Sequence, residues 1–535
     1  MSDQDVAKLS LQDAPAEGAS SSAAPPKVVK EVVDPVTGQT MSQAAYKKLV
    51  KQREGEAKKR AKEEERRAAM AEEDARKQAE IAARRAEAAA IVIEEDASLP
   101  AAIRIKVRDV AKFEGQRVKI LGWVQHKRQQ GRALMFFDVR DGTGMLQCTL
   151  QDKLAQCLPA VDLVQESSVA IHGKIQRDER APGGFELRAD YWRVIAASDE
   201  SFNAKLNEDA NVDTLLINRH LVHRGTRLTT VFKMRDQILR EFRGHFFDKG
   251  FTEVMPPTLV QTQCEGGSTL FSFNYFNEEA YLTQSSQLYL ETVIPSLGDV
   301  FCVLPSYRAE KSKTPRHLAE FTHFEAEMPF IEFEDLLNTV EDMVYDVSRR
   351  IAEKFSDEIH SLNPDFKVWP KPYKRMKYSE CIEFCRAHNI YKDPETKEHF
   401  EFGDDIPALP ERQMIDLIGE PVLMTHFPAE MKAFYMQRAP EDPTLTESVD
   451  LLVPGVGEIV GASMRMWDEK ELLAAFARQN IDPAPYYWYT DQRKYGSCPH
   501  GGFGLGIERY LMWVLAQKNV REVCLYPRWM GHCKP

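Results

Sequence analysis

The sequence predicts an α+β protein built from a charged helical extension, a small β-barrel and a large domain of helices and strands. Residues 41–90 are nearly free of Gly, Pro and aromatic residues, which favours a helix. Five short strand-like runs lie between residues 103 and 197, and residues 215–535 mix both patterns. Because the chain has 535 residues, several structural units are expected rather than one core.

The N-terminal hundred residues predict two segments. Residues 1–40 are rich in Ala, Ser, Pro and Gly and predict a disordered leader. Residues 41–100 predict a charged helical extension, in which residues 41–90 hold fourteen Lys or Arg against ten Asp or Glu, although the whole chain has a net charge of −12. Two interpretations stay open: a solvated spacer helix, or a basic helix that adds sequence-independent contacts to RNA phosphates.

Residues 101–200 predict a small Greek-key barrel of the OB-fold type. Its strand candidates cover residues 117–124, 133–139, 145–150, 168–175 and 185–194. A hinge is expected at residues 201–225. The remaining residues, 226–535, predict the large domain, with helices at 234–249 and 336–355 and strands at 253–256, 300–307, 322–329, 422–426, 448–453 and 459–464.

The composition also predicts the cellular location of the protein. No run approaches the roughly 18 apolar residues that cross a bilayer, and the acidic N-terminus does not resemble a signal peptide. The nine cysteines are scattered without metal-ligand spacing, which favours reduced thiols. We therefore expect a cytoplasmic protein that does not associate with a membrane.

Three segments of the large domain carry residues suited to chemistry. The first is residues 250–257, where a proline at the start of a strand indicates an edge or interface position. The second is residues 306–325, in which Arg308 offers a fork to a phosphate and Phe321 a face to a planar base. The third is residues 501–509, a glycine-rich strand that leads to Arg509 and to a helix predicted at residues 510–516.

In this order the segments resemble motifs 1, 2 and 3 of the class II aminoacyl-tRNA synthetases. With the preceding barrel, they resemble the subgroup for aspartate, asparagine and lysine, and the resemblance runs from residue 103 to residue 535. It implies a class II catalytic domain with a six-stranded antiparallel sheet flanked by helices. It also implies a homodimer whose interface uses the segment around Pro257.

The resemblance also implies how ATP is held. Arg308 contacts the α-phosphate, while Phe321 and Arg509 hold the two faces of the adenine and Arg509 also reaches the γ-phosphate. Glu310 forms a hydrogen bond with the adenine. The implied catalytic residues are Arg308, Glu458 and Arg509, and the implied ATP contacts are Arg308, Glu310, Arg316, His317, Phe321, Glu458, Gly506 and Arg509.

The outer phosphates and the metal form a second part of this implied site. Arg316 or His317 reaches the outer phosphates. Asp450 and Glu458 match the positions that hold Mg²⁺, and carboxylates with retained waters suit that ion. Some relatives place a Ser ligand where this chain has Gly461, so an extra water is expected there.

The amino-acid pocket follows from the same resemblance. Glu265 receives the α-ammonium, Ser285 and Gln287 contact the ammonium and carboxylate ends, and Arg465 meets the side-chain oxygen. The implied amino-acid contacts are Glu265, Ser285, Gln287, Leu290, Arg308, Glu325 and Arg465.

Two positions favour asparagine over aspartate. Aspartate enzymes carry a Lys where this chain has Leu290, and an Asp where it has Glu325. Glu325 resembles the longer carboxylate that accepts from the amide of asparagine. A bound aspartate would instead face Glu325 with like charge, at a cost that suits discrimination between the two substrates. Residues 427–435 and 524–528 also resemble the asparagine branch.

In the barrel, the residues that match the anticodon-binding strands are Arg128, Phe136 and Gln147. Phe136 stacks on the central uridine, and the other two contact its edge or neighbouring phosphates, an arrangement of aromatic platform and polar groups that OB-folds use. The alternative for Phe136 is a core aromatic residue.

The resemblance thus implies a two-step ligation. ATP and L-asparagine form asparaginyl-adenylate, and the asparaginyl group then passes to the 3′-OH of the terminal adenosine of tRNA(Asn). Three alternatives remain open: an aspartyl enzyme of the same subgroup, a catalytically inactive relative that binds RNA, and an ammonia-dependent asparagine synthetase. Leu290 argues against the first, the retained Arg308, Glu458 and Arg509 against the second, and the barrel against the third.

Overall fold

The computed structural model describes residues 31–202, 210–266 and 269–535. The chain divides into two units, of which the first ends at Lys205 and the second begins at Leu206. Within the described residues, no helix combines the length and the apolar composition that crossing a bilayer requires.

The first unit begins with a short hairpin of β1 (Glu31–Val33) and β2 (Thr40–Ser42). The carboxylate of Asp34 accepts from Val36 N–H and Thr37 Oγ–H in the turn, and from both Nη atoms of Arg53 at 2.8 and 2.7 Å. The prediction of a disordered leader over residues 1–40 is therefore wrong for residues 31–40, because this buried carboxylate ties the turn to the following helix. Residues 1–30 lie outside the described residues.

A single long helix, α1 (Gln43–Ala89), follows the hairpin. Its side chains are mostly exposed, as its lack of an apolar stripe predicts. Near its end Arg84 donates to Gln129 at 2.7 Å and Arg85 pairs with Asp162 at 3.0 Å. Ile91 and Ile93, just beyond the helix, pack against the barrel core. The C-terminal end of α1 is thereby attached to the barrel.

The barrel has the strands β3 (Ile103–Arg104), β4 (Arg117–Gln130), β5 (Leu134–Arg140), β6 (Met145–Gln151), β7 (Ser168–Arg177) and β8 (Phe185–Ala196). The strand order is β3-β4-β5-β6-β8-β7, and pairing of β4 with β7 closes five strands into a barrel. Two short helices, α2 (Lys153–Gln156) and α3 (Leu158–Val161), follow β6. The predicted OB-fold with its five strands is confirmed. The two-residue strand β3, which the sequence analysis missed, pairs in parallel with β4.

The second unit contains α4 (Val212–Ile217), α5 (Arg219–Val222), α6 (Thr226–Asp248), α7 (Gln287–Leu297), α8 (Phe333–Lys354), α9 (Ser356–Leu362), α10 (Tyr378–Ala387), α11 (Ala408–Ile418), α12 (Glu469–Arg478), α13 (Tyr487–Lys494) and α14 (Ile507–Val514). Helix α6 begins eight residues before the predicted start, because Val231 already packs in the core. The predicted hinge, residues 201–225, lies partly outside the described residues, and its described part holds α4 and α5.

The strands of this unit are β9 (Thr252–Glu253), β10 (Leu259–Val260), β11 (Ser272–Tyr275), β12 (Glu278–Leu282), β13 (Val300–Tyr307), β14 (Glu320–Pro329), β15 (Lys374–Lys377), β16 (Tyr391–Asp393), β17 (Glu398–His399), β18 (Val422–Thr425), β19 (Arg438–Ala439), β20 (Asp442–Thr446), β21 (Ser448–Val453), β22 (Gly457–Met464) and β23 (His500–Gly506). The large sheet has the order β15-β18-β21-β22-β23-β14-β13-β9. Its six inner strands are antiparallel, as predicted, and one short parallel strand is added at each edge.

Helices α6 and α8 cover one face of this sheet. The predicted apolar side of α8 is buried and packs with β14, β22 and β23 into the main core. Alternate residues of a strand point to opposite faces. The other face of the same inner strands is therefore available for the candidate site.

Candidate functional site

One cavity of about 890 Å³ lies in the second unit and is lined by parts of β14, β21, β22, β23 and α14. It brings together every residue that the sequence analysis assigned to ATP, the amino acid or the metal. These residues are Glu265, Ser285, Gln287, Leu290, Arg308, Glu310, Arg316, His317, Phe321, Glu325, Asp450, Glu458, Arg465, Gly506 and Arg509. The fold therefore brings together site residues that lie up to 244 positions apart in the sequence.

Strand β14 supplies the polar wall of this cavity. His323, Glu325 and Glu327 alternate along it and line the cavity, while Phe324 packs into the core on the other side. Glu325 was predicted from the sequence, whereas His323 and Glu327 were not. The alternating pattern of polar and apolar residues from 323 to 327 was the available signal.

The glycines of β23 make room for this wall. A Cβ atom at Gly502 would lie 2.1 Å from Glu327 Oε2, and one at Gly504 would lie 2.3 Å from His323 Nε2. At these two positions the glycines therefore admit side chains from the neighbouring strand β14.

Arg308 lies at the centre of the cavity. Its Nη2 pairs with Glu265 Oε2 at 2.8 Å, and its guanidinium carbon lies 5.4 Å from the centre of the Phe321 ring. Burial lowers the pKa of Arg308, but the charges of Glu265 and Glu310 outweigh it and raise the pKa. Its buried Nε has no hydrogen-bond partner among the described residues. Arg308 therefore stays charged and has a donor to offer an anion.

A second ion pair, formed by Glu458 and Arg509, lies where β22 meets α14. Arg509 Nη1 donates to Glu458 Oε2 at 2.9 Å. Burial raises the pKa of Glu458, but the charges of Arg509 and Arg316 outweigh it and lower the pKa to about 2. Helix α14 begins at Ile507, three residues earlier than predicted, because Glu508 accepts from Thr322 N–H at 3.0 Å and from Arg235 at 2.8 Å. Arg509 is thereby in the first helical turn.

Arg316 of the loop between β13 and β14 faces the same end of the cavity. Its Nη1 donates to Glu411 Oε1 at 2.8 Å, and its buried Nε has no partner among the described residues. Glu411 also accepts from the backbone N–H of Glu458 at 3.0 Å. The sequence analysis missed Glu411, because nothing in the chain links α11 to a loop about ninety residues earlier. His317 pairs with Glu310 at 3.3 Å, so these two predicted ATP contacts lie side by side.

Asp450 and Glu458 approach each other across Gly461. A Cβ atom at Gly461 would lie 3.6 Å from Asp450 Oδ1 and 3.5 Å from Glu458 Oε1. The other oxygens are in use, since Asp450 Oδ2 accepts from Lys432 at 3.1 Å and Glu458 Oε2 from Arg509. Burial raises the pKa of Asp450 to about 6. Two carboxylate oxygens thus face one gap, an arrangement that suits a hard cation.

The amino-acid end of the cavity is more deeply buried. Glu325 is 2% exposed and accepts from Ser285 Oγ–H and from Ser286 N–H at 2.9 Å. Arg465 donates from Nε to Glu327 at 3.0 Å and from Nη1 to Ser463 Oγ at 2.9 Å. Leu290 is fully buried on the same wall. The polar groups here are fixed by the protein before any substrate binds.

The barrel carries the other predicted contacts on its outer face. Met135, Phe137 and Val139 of β5 are buried in the barrel core, whereas Phe136 points outward and is half-buried. The core alternative for Phe136 is therefore wrong. Arg128 lies opposite Phe136 in the strand pairing, with its guanidinium carbon 4.9 Å from the ring centre, and Gln147 lies on the adjacent strand.

Pro257, the predicted interface residue, lies away from the cavity. It is exposed between Met255, which is 83% exposed, and Leu259, which is 51% exposed. These apolar side chains surround the segment that the sequence analysis assigned to a dimer interface.

Comparisons with known proteins agree with this geometry. Residues 211–530 match the family of class II tRNA synthetases for D, K and N, and residues 118–195 match the OB-fold nucleic acid binding domain. Residues 15–100 match the asparaginyl-tRNA synthetase N-terminal domain. The cytoplasmic asparagine–tRNA ligase of Bos taurus is 56% identical over 450 residues, which are 83% of this chain and 80% of the relative. The chain belongs to the asparagine–tRNA ligase family.

Other members of the asparagine–tRNA ligase family support the assignment. The cytoplasmic enzyme of Homo sapiens is 54% identical over 83% of this chain and 82% of its own length. The asparaginyl-tRNA synthetase of Entamoeba histolytica, solved in complex with asparaginyl-adenylate, has a TM-score of 0.78 and 46% identity over 82% of this chain and 100% of that chain. The predictions of the fold class, of an enzyme and of the asparagine branch are confirmed.

Proposed function

We propose that the cavity of the second unit is where this chain joins L-asparagine to tRNA(Asn) in the cytoplasm. ATP and asparagine form asparaginyl-adenylate and pyrophosphate, and the asparaginyl group then passes to the 3′-OH of the terminal adenosine of the tRNA. The observation that carries this proposal is that the phosphate, metal and amino-acid residues all line one cavity. The known adenylate complex of the Entamoeba histolytica relative supports it.

The first step needs no nucleophilic side chain, since the carboxylate of asparagine attacks the α-phosphorus directly. The protein aligns two anions and neutralises the charge that develops, which is catalysis by positioning and electrostatics. Arg308 takes the α-phosphate, and Arg509 takes the γ-phosphate and one face of the adenine. The other face of the adenine rests on Phe321, with Glu310 at its edge. Gly506 lies beside the nucleotide.

One ion pair of the cavity exchanges partners when substrates bind. The α-ammonium of asparagine replaces Arg308 as the partner of Glu265, and Arg308 is then free for the α-phosphate. This exchange is supported by the 2.8 Å contact between Arg308 and Glu265, both of which line the cavity. Arg316 and His317 reach the outer phosphates, and the Nε of Arg316, which has no partner among the described residues, is a ready donor.

Mg²⁺ is the cation that we assign to Asp450 and Glu458. The free oxygens Asp450 Oδ1 and Glu458 Oε1 face the gap above Gly461, and the absence of a side chain at Gly461 leaves room for a water ligand. When bound, the ion neutralises charge on the phosphates. The protein orients both carboxylates through Lys432 and Arg509.

Asparagine is selected at the buried end of the cavity. Glu325 lines the cavity and accepts from the side-chain amide, in addition to its contacts with Ser285, Ser286 and His323. Arg465 donates to the side-chain oxygen, held in place by Glu327. Leu290 leaves no second cation for an aspartate carboxylate. Gln287, which lines the same end, contacts the α-carboxylate side of the substrate.

The barrel binds the anticodon of tRNA(Asn) on the outer face of β5. Phe136 stacks on a base while Arg128 and Gln147 contact its edge or a phosphate. We therefore assign residues 101–200 to anticodon binding and residues 226–535 to catalysis. A hinge at 201–225, an extension at 41–100 that follows the hairpin of β1 and β2, and a leader before that hairpin complete this division of the chain.

A homodimer completes the proposed assembly. The exposed apolar residues Met255 and Leu259 on either side of Pro257 support an interface at this segment. Analytical ultracentrifugation of the full chain is expected to give twice the mass of 61.1 kDa. A monomer at micromolar concentration would contradict this assignment.

The test of the function compares the two candidate substrates directly. ATP–pyrophosphate exchange is expected with asparagine and is expected to be at least about 1,000-fold weaker with aspartate, as protein synthesis requires. Charging of tRNA(Asn) should follow with asparagine. Exchange with aspartate alone would show that the aspartyl alternative is correct.

A further inference from the structure

Behind the amino-acid end of the cavity lies a set of buried charged side chains that the proposed chemistry does not use. Glu291 on α7, Arg493 on α13 and His500 on β23 form this set, which we call the inner charge cluster. Their side chains are at most 3% exposed. Because an unpaired charge at this depth is costly, each must be balanced by its neighbours.

Glu291 is the centre of the inner charge cluster. Its Oε2 accepts from Arg493 Nη2, from Tyr489 Oη–H at 2.9 Å and from His500 at 3.0 Å. Its Oε1 accepts from Gln287 Nε2 at 3.1 Å, and Gln287 lines the cavity. One carboxylate therefore connects the wall of the amino-acid pocket to α13 and to β23.

His500 connects strand β23 to this cluster. Its Nδ1 lies 2.7 Å from the carbonyl oxygen of Cys498, and its Nε2 lies 3.0 Å from Glu291 Oε2. Both neighbours are oxygen acceptors, so the ring of His500 bridges the backbone at Cys498 and the carboxylate of Glu291.

Two carboxylate–guanidinium pairs lie next to each other at this end of the cavity. Glu291 and Glu327 offer carboxylate oxygens within 4.8 Å of each other and of His500, so the cluster is continuous with the pair of Glu327 and Arg465 on the cavity wall. Each of the two carboxylates has a guanidinium partner: Arg493 for Glu291 and Arg465 for Glu327. An uncharged substrate side chain preserves this balance, and a carboxylate would disturb it.

We propose that Glu291 is a specificity-determining residue that excludes aspartate through its negative charge, although it does not touch the substrate. It cancels the charge of Arg493, which would otherwise make the pocket more positive and attract an aspartate side chain. This inference rests on the proposed function. It adds a third determinant to Glu325 and Leu290.

The direct test is ATP–pyrophosphate exchange of the full-length Glu291→Gln variant with asparagine and with aspartate. Glutamine keeps the shape and removes one charge. The ratio of kcat/KM for asparagine to that for aspartate is expected to fall at least roughly tenfold, the effect of one charge acting over a few side-chain lengths inside a protein. The change should lie mainly in the KM for aspartate. Equal losses for both amino acids would overturn the proposal.

Two further variants separate charge from structure. Tyr489→Phe removes one hydrogen bond from the same carboxylate without changing the charge, and it is expected to leave the substrate ratio unchanged. The double variant, Glu291→Gln with Arg493→Gln, restores the charge balance and is expected to restore the wild-type ratio of kcat/KM values. The double variant also tests the proposal if the single variant is unstable. A shift of the ratio in Tyr489→Phe equal to that in Glu291→Gln would overturn the proposal. A wild-type protein that does not use asparagine would instead refute the proposed function.

Discussion

The two ends of the cavity hold their charged residues in different ways. At the phosphate end, the pairs of Arg308 with Glu265 and of Arg509 with Glu458 are partly exposed, with side chains that are 22–36% accessible. At the amino-acid end, Arg465 and Glu327 are at most 4% accessible. The pair of Arg308 and Glu265 exchanges partners when charged substrates arrive, whereas the pair of Arg465 and Glu327 keeps its geometry. One cavity therefore combines adaptable binding of ATP with rigid selection of the amino acid.

The largest effect is expected at the phosphate end from Arg308→Ala. Loss of this cation removes both the α-phosphate contact and the partner of Glu265, so exchange with asparagine should fall by about 1,000-fold or more. Arg308→Lys keeps the charge but loses the fork, and its loss is expected to be smaller. Exchange in Arg308→Ala within tenfold of the wild-type rate would contradict the role of this pair.

A second large effect is expected from Glu458→Gln. This change removes one of the two oxygens that face the gap at Gly461, so exchange should fall about 100-fold and the Mg²⁺ concentration for half-maximal rate should rise. Glu411→Gln is the matched control, since Glu411 supports Arg316 but does not face the gap. An unchanged Mg²⁺ requirement in Glu458→Gln would remove this residue from the metal site.

Much of this site could be predicted from the sequence because the second and third motifs lie on, or directly after, inner strands of one sheet. Glu325 lies on β14, Arg308 directly follows β13, and Arg509 lies in the first turn of the helix that follows β23. Glu327 and Glu411 could not be found in the same way, because their roles depend on contacts with Arg465 and Arg316 that only the folded chain brings about.

The same limit applies to the fold. The inner strands carry strong patterns and were predicted, whereas the edge strand β15 and the barrel strand β3 are too short to show any periodicity. The strand predicted at residues 253–256 is observed as the two-residue edge strand β9. The hairpin at residues 31–42 depends on the contact of Asp34 with Arg53, nineteen residues later, which composition does not reveal.

At the amino-acid end of the cavity, Leu290→Lys is expected to change which amino acid is used rather than abolish the reaction. A lysine there places a cation beside Glu325, so exchange with asparagine should fall by roughly tenfold while exchange with aspartate rises by a similar factor. Leu290→Met is the control, because it keeps the volume and stays uncharged. A Leu290→Lys variant as selective as the wild type would show that selection lies elsewhere in the pocket.

The smallest effect on chemistry is expected from the barrel. Phe136→Ala removes one stacking surface, so the KM for tRNA should rise by roughly tenfold, while ATP–pyrophosphate exchange stays unchanged. Ile195→Ala, at an exposed apolar residue of β8, is the control and should change neither quantity. An unchanged KM for tRNA in Phe136→Ala would exclude stacking at this position.

The contrast between the two ends can be measured most directly in a crystal structure with a non-hydrolysable analogue of asparaginyl-adenylate. We expect Arg308 to leave Glu265, from the present 2.8 Å, and to contact the α-phosphate. Arg465 and Glu327 should keep their 3.0 Å contact, and Glu325 its bond to Ser286 N–H. A structure in which Arg308 stays on Glu265 while Arg465 separates from Glu327 would contradict the account.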